Sequence, residues 1–465
     1  MDPQARRWRR TAVAIVLATF VLVAGVARGA LPPLFALVVA ALALAVSAWV
    51  AAPGRGLPRL RPPKDMTTRY MQATAFFAAT PSMKLAKGLN LSDLAFALVV
   101  AGLILRRRKP RPDPPNIAPF LVGALLLAAG GLFGTMFEPA TNPFPGLGAV
   151  YYGSALGPIG IRYGDLVRFV IVTVGMLVAV RFWRPDVRDR WAVGAAFGAG
   201  AVTSVLYAVS QGTQPGGRAQ GLTTHPVFYG TISALAVVVG IGLAASSTGR
   251  RRLYGIVVAV VCAYGVLGSG TRGAVLMVAA GVAFFLIAMR SARVMAAFVA
   301  VGLVGLLATV LLPGMFGGTE TVVRLQGGGN ALLSNQGRDL LREQTYALIR
   351  TNGLTGAGFR YLAPPHSFLL GILVTAGIVG LIGTIVIVAA LVFQHLSIRD
   401  RDPMAVAAIA AVLGLFTTSW VVNFGWDRWL WVLIAVFATV RAHHRSHADD
   451  GADDGDREAH SHAVR

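Results

Sequence analysis

From Thr11 to Val440 apolar runs of about 20 residues recur, most of them flanked on one side by arginine or lysine. Coiled as an α-helix, such a run spans the hydrocarbon layer of a bilayer. In lipid a lone run must satisfy its backbone hydrogen bonds within itself, which selects helices. Strands of a membrane barrel would alternate with period two, and these runs do not. Composition agrees: 55% of residues are hydrophobic and 13% charged, against about 25% charged in soluble domains. An ordinary globular domain is excluded. The expected fold class is all-α, a polytopic transmembrane helical bundle of about 12–14 spans with one large periplasmic loop.

The runs predict spans near 10–28, 32–50, 69–84, 90–106, 117–135, 164–181, 191–209 and 225–246. Others follow at 253–268, 273–290, 294–312, 366–393, 404–420 and 426–440. The third is short and contains Pro81; charge placement calls for either a crossing or a re-entrant pair there. The basic clusters are Arg6–Arg10, Arg55–Lys64, Arg106–Arg111, Arg181–Arg190, Arg250–Arg252, Arg290–Arg293, Arg399–Arg401 and the tail from Arg441. Threaded in order, all fall on one side. Basic loops stay cytoplasmic, so both termini are expected there. The first run follows Arg6, Arg7, Arg9 and Arg10 like the start of a signal peptide. Its length and the immediate second run predict a retained anchor. The net charge of +22 then reflects attraction to the headgroups of the lipid bilayer, and no nucleic-acid partner is expected.

Residues 1–440 read as one membrane domain, with 313–365 as a large outer loop and 441–465 as a disordered cytoplasmic tail. The tail interleaves five of the eight histidines with aspartates; a solvated tail or a weak metal tract are its two readings. The loop holds Gly327-Gly328-Gly329 and a helix-like run, Asp339 to Arg350, with Leu340, Leu341, Tyr346, Ala347 and Leu348 as its apolar residues. That run either lies on the membrane surface or caps the bundle. A loop this long is uncommon unless it serves a site. Cys262 is the single cysteine, and no CxxC or HExxH spacing occurs, so no disulfide and no metal motif is expected.

Arginines placed against the charge bias call for a functional explanation, or else pair with lipid phosphates and local acids. On the outer side lie Arg218, Arg272, Arg324, Arg338, Arg342, Arg350 and Arg360, with His225 and His366. Four segments stand out. Arg218 to Pro226 leads into a span, and Gly268-Ser269-Gly270-Thr271-Arg272-Gly273 makes a sharp turn between two spans. Arg338 opens the loop run, with Gly356 and Gly358 after it; Pro364-Pro365-His366-Ser367 precedes a long apolar run containing Gly371, Gly377 and Gly380.

In this order the segments resemble the O-antigen ligase and O-antigen polymerase superfamily of bacterial inner-membrane proteins, over roughly Leu91 to Val440. An Arg-x-x-Gly stretch leads to His-Pro, here Arg218, Gly221, His225 and Pro226. A Ser-x-x-Arg-Gly turn follows, here Ser269, Arg272 and Gly273, with Thr271 where members usually carry serine. The long loop supplies Arg338, Gly356 and Gly358 and closes on His366 and Ser367. The resemblance implies a glycosyltransferase without metal or other cofactor, acting at the outer face. Its partners would be a polyprenyl-diphosphate-linked oligosaccharide and an acceptor glycan or glycolipid.

The residues suit that chemistry. Cleavage at the anomeric carbon leaves charge on a diphosphate, and Arg218, Arg272 and Arg338 offer fixed positive charge and bidentate hydrogen bonds. The acceptor hydroxyl needs a base, and His366 titrates in the right range. Arg342, His225, Gly221, Ser269, Gly273 and Ser367 are the expected substrate-binding residues. For His225 a polar contact and a helix-start role stay open, and Ser367 caps a helix on the alternative reading. Glu138, Arg162 and Asp165, near the 136–163 loop, are further candidates for sugar contact. A transporter or flippase of lipid-linked saccharides is the alternative function; it predicts internal repeats, which the chain does not show.

Overall fold

The structure is a computed structural model, describing residues 66–86, 89–104, 116–137, 166–211, 218–289, 331–359, 367–397, 402–419 and 427–439. These form α1 (Met66–Ala78), α2 (Leu91–Ile104), α3 (Ala118–Met136), α4 (Leu166–Trp183), α5 (Val187–Gln211) and α6 (Pro226–Ala245). Then come α7 (Gly249–Gly268), α8 (Arg272–Met289), α9 (Ala331–Asn352), α10 (Phe368–Ser397), α11 (Pro403–Thr417) and α12 (Arg428–Ala438). A minute antiparallel hairpin, β1 (Lys84–Ala86) with β2 (Leu89–Asn90), pairs Lys84 with Asn90.

Seven of the described helices, α3 to α8 and α10, are long and apolar enough to cross a membrane; α2, α11 and α12 are shorter apolar helices. The all-α membrane bundle is therefore what these residues form. The runs at 10–28, 32–50 and 294–312, the glycines at 327–329 and the tail from 441 lie outside the described residues.

The bundle centres on α6, 83% of whose apolar window is buried, and it packs against α5, α7, α8 and α11. By contrast α10 exposes Ile378, Ile382, Ile385, Val392 and Phe393, the surface that lipid would cover. The helix from the third predicted span ends at Ala78, ahead of Pro81. Its ends touch opposite ends of the bundle. Thr68 Oγ1 accepts from Trp183 Nε1 at 3.2 Å and donates to Asp189 at 3.1 Å, while Ser82 N donates to Leu222 O at 3.0 Å. The segment thus runs from end to end.

The end holding the basic loops is tied by a buried ion pair. Arg190 Nε and Nη2 donate to Asp402 Oδ2 at 3.1 and 2.9 Å. The other carboxylate oxygen caps α11, accepting from Met404 N and Ala405 N.

At the opposite end α10 is broken. Gly377 adopts φ 61° and ψ −163°, a region open essentially to glycine. The break frees carbonyls that lipid could not satisfy, and the loop supplies the donors. Ala357 N donates to Val374 O at 2.6 Å and Gly358 N to Thr375 O at 3.2 Å, while Ile378 N returns a bond to Leu354 O at 3.3 Å. α3 crosses directly behind, and a methyl on Gly134 would overlap the Thr375 carbonyl.

One loop expectation needs correction, and one open alternative is decided. α9 starts at Ala331, so Arg338 lies two turns inside it instead of opening it; Ala331, Leu332 and Leu333 are strong helix formers. Among its residues whose burial is described, Thr345 and Leu348 are buried, whereas Tyr346 and Ala347 are exposed. Leu348 packs on Ala357 and Val374, so α9 caps the broken end of α10.

Candidate functional site

The segment before α6 lies across the turn between α7 and α8. Ala219 N donates to Gly268 O at 2.8 Å. The Arg218 guanidinium forks onto that turn, donating from Nε to Ser269 O at 2.9 Å and from Nη2 to Thr271 Oγ1 at 3.1 Å. Thr271 passes its own hydroxyl hydrogen on to Pro226 O at 3.3 Å, the first residue of α6. Ser269 Oγ donates to Val266 O and accepts from Thr271 N. The turn is therefore a rigid platform joining the starts of α6 and α8, both positive dipole ends.

Gly221 holds the approach to α6. Its φ is +58°, and an added Cβ would lie 2.5 Å from Ser204 Oγ and 2.7 Å from a Tyr229 ring carbon. Ser204 Oγ in turn accepts from Leu222 N at 2.9 Å. Gly273 is buried as the second residue of α8. These residues shape the backbone around the site.

His225 is the N-cap of α6, its Nδ1 accepting from Val227 N at 3.1 Å. In the neutral ring the hydrogen is then on Nε2. Its pKa is lowered from 6.5 to about 4 by burial, then by the charges of Arg218 and Arg338. The residue is exposed at the rim, so solvent tempers the burial contribution, and both guanidiniums act in the same direction. The charges of both Arg218 and Arg338 act on His225 although α9 and α6 are far apart in sequence.

Arg272, the first residue of α8, donates from Nη2 to Asn335 Oδ1 on α9 at 2.8 Å. Asn335 went unremarked in the sequence, although its three-residue spacing from Arg338 puts both on one helix face. Arg342 pairs along the same helix with exposed Asp339 at 3.4 Å. Ser367 caps α10: its hydroxyl accepts from Leu370 N at 3.5 Å. Its residue is buried, and next to it Phe368 N donates to Ser419 O at 2.7 Å. His366, Glu138, Arg162 and Asp165 lie outside the described residues.

A second polar cluster was also missed. Arg428, at the start of α12, forms an ion pair with Asp93 of α2. With its carboxamide oxygen turned toward them, Asn90 accepts from Arg428 Nη1 at 3.2 Å and Arg168 Nη2 at 3.3 Å. The signal that found Arg218 and Arg272, an arginine at an outer span end, also marks Arg168 and Arg428.

Residues 257–385 match the family model described as O-antigen ligase. No curated protein matches the chain. The matched stretch runs from α7 into α10 and contains Ser269, Arg272, Gly273, Arg338, Arg342, His366 and Ser367. Arg218, Gly221 and His225 precede it, and Arg218 is joined to it by the bonds to Ser269 and Thr271. Residues 257–385 of this multi-pass helical bundle are thus similar to the O-antigen ligase family, the one that the ordered motifs resemble.

Proposed function

We propose that this protein transfers a glycan from a polyprenyl-diphosphate-linked oligosaccharide to a hydroxyl of an acceptor glycan or glycolipid. The observation that carries the reading is the convergence of three arginines at one bundle end. Arg218 and Arg338 bear on His225, and Arg272 meets α9 one turn from Arg338. The basic stretches Arg181–Arg190 and Arg250–Arg252 sit at the other end. By the positive-inside rule the site then faces the periplasm or exterior, with both termini in the cytoplasm.

In this scheme the acceptor oxygen forms a bond to the anomeric carbon as the bond from that carbon to the diphosphate oxygen breaks. The hydroxyl proton passes to His366, and the electron pair leaves on the diphosphate. Arg218, Arg272 and Arg338 meet that growing charge, already oriented before reaction by the platform and α9. A direct displacement inverts the anomeric configuration. His225, held neutral, offers its Nε2 hydrogen as a donor, and Arg342 extends the positive strip along α9. The 313–365 segment, which includes α9, serves as the outer loop that completes the site.

A flippase would pair broken spans in its two halves. Here the break in α10 is filled by the backbone of Leu354–Gly358, which favours a fixed site over a transport path. The test is transfer in proteoliposomes containing a polyprenyl-diphosphate-linked oligosaccharide and candidate acceptors. Release of polyprenyl diphosphate with a new glycan linkage, abolished in His366→Ala, is the expected result. A lengthened polymer identifies a polymerase and a single attachment a ligase. Movement of the intact lipid-linked saccharide between leaflets, without transfer, would overturn the proposal.

A further inference from the structure

Arg272 and α9 meet through one hydrogen bond, and the chemistry of its acceptor is informative. Asn335 Oδ1 takes one hydrogen of Arg272 Nη2 at 2.8 Å. Both residues are half-buried. An asparagine oxygen orients a guanidinium without neutralising it, and the other donors of the fork remain for an anion. A carboxylate there would hold the arginine more strongly but cancel its charge. A positively charged site gains from the neutral acceptor, whereas a mere structural tie would gain from the charged one.

The rest of α9 shows how the acceptor is held. Asn335, Arg338, Arg342, Thr345, Leu348 and Ile349 recur at three- and four-residue spacing and share one face. The lower part of that face is apolar, seated on Ala357 and Val374, and the Gly356–Gly377 interlock fixes it. The upper part is polar and carries Asn335 to Arg272, with Arg338 one turn further along the helix. α9 thus acts as a beam, anchored at one end and functional at the other.

We propose that Asn335 is a positioning residue: it aims the Arg272 guanidinium at the diphosphate of the donor while leaving its charge intact. The inference rests on the glycosyl-transfer reading above.

The test uses the full-length protein in detergent, with farnesyl diphosphate as the probe of lipid-diphosphate binding and thermal unfolding as the control of fold. Asn335→Asp keeps and strengthens the tie to Arg272, so it should unfold no earlier than wild type. It should nevertheless bind farnesyl diphosphate on the order of tenfold or more weakly, because an anion now faces an anion. In the transfer assay the same variant should raise the donor KM more than it lowers kcat. Asn335→Ala, which loses orientation but keeps the charge, should weaken binding by about threefold to tenfold. If wild type binds the probe and Asn335→Asp binds it equally well, the inference falls while the transferase reading stands. If wild type binds no lipid diphosphate and transfers nothing, both fall together.

Discussion

The crossing of α3 over the break in α10 predicts opposite outcomes for two neighbouring glycines. At Gly131 an added methyl would meet Leu166 and Phe359 side chains at 3.4 Å, ordinary contact. Gly131→Ala should therefore keep the helix gain of alanine, up to about 1 kcal/mol. At Gly134 the same methyl would overlap Thr375 O and stand 3.1 Å from its carbon and 3.0 Å from Gly358 N. All three are backbone atoms and cannot rotate away. Relief requires α3 and α10 to part by on the order of 1 Å, which forfeits a quarter to a half of the dispersion energy of the contacts it opens. Overpacking of this kind costs about 1–3 kcal/mol. The bond from Gly358 N to Thr375 O contributes about 1 kcal/mol more when it is strained open. The alanine gain is common to both variants and cancels, so Gly134→Ala should be less stable than Gly131→Ala by about 2–4 kcal/mol. Thermal unfolding of the two variants side by side in one detergent measures that difference with a shared reference state. Equal melting temperatures would refute the close backbone crossing.

The lowered His225 pKa gives a pH signature. Between pH 6.5 and about 4 the unfolded chain takes a proton that the folded protein refuses, so stability present above that window declines as pH falls through it. His225→Asn, which retains a capping side chain, should lack this slope; parallel melting series for the two proteins would contradict it. Separately, Asp402→Ala strands Arg190 and uncaps α11, and should cost about 3–5 kcal/mol, the usual penalty for breaking a buried pair. Unfolding should report the whole loss, with farnesyl diphosphate affinity of the folded fraction unchanged; a weakened affinity would show that the two ends of the bundle are coupled.

The spans were legible because lipid leaves a chain few choices, and apolar length alone reveals α3 to α8 and α10. Arg218 and Arg272 stood out as candidates because charge at a span end is costly unless it is paired or used, and His225 because it stands at the start of the same span as Arg218. What stayed hidden depends on partners distant in sequence. Nothing local in Gly377 says that a helix breaks there, since the compensating donors lie at Ala357 and Gly358. Asn335 is an ordinary polar residue until Arg272 arrives beside it. Thr271 looked like a departure from the family pattern, yet its hydroxyl accepts from Arg218 and donates to Pro226 O. The start of α9 was misplaced because its first turn is apolar and its amphipathic pattern becomes clear only from Asp339 onward.

The interlock at Gly377 also constrains the order of biogenesis. Leu354, Ala357 and Gly358 find their backbone partners at Val374, Thr375 and Ile378, roughly one helix length later in the chain. A chain made at about 5–20 residues per second emits α9 seconds before those partners exist. Nor can α10 settle into lipid alone, because its broken turn would present bare carbonyls to hydrocarbon. The backbone of Leu354–Gly358 can therefore complete the break in α10 only once the helix that follows α9 has been made.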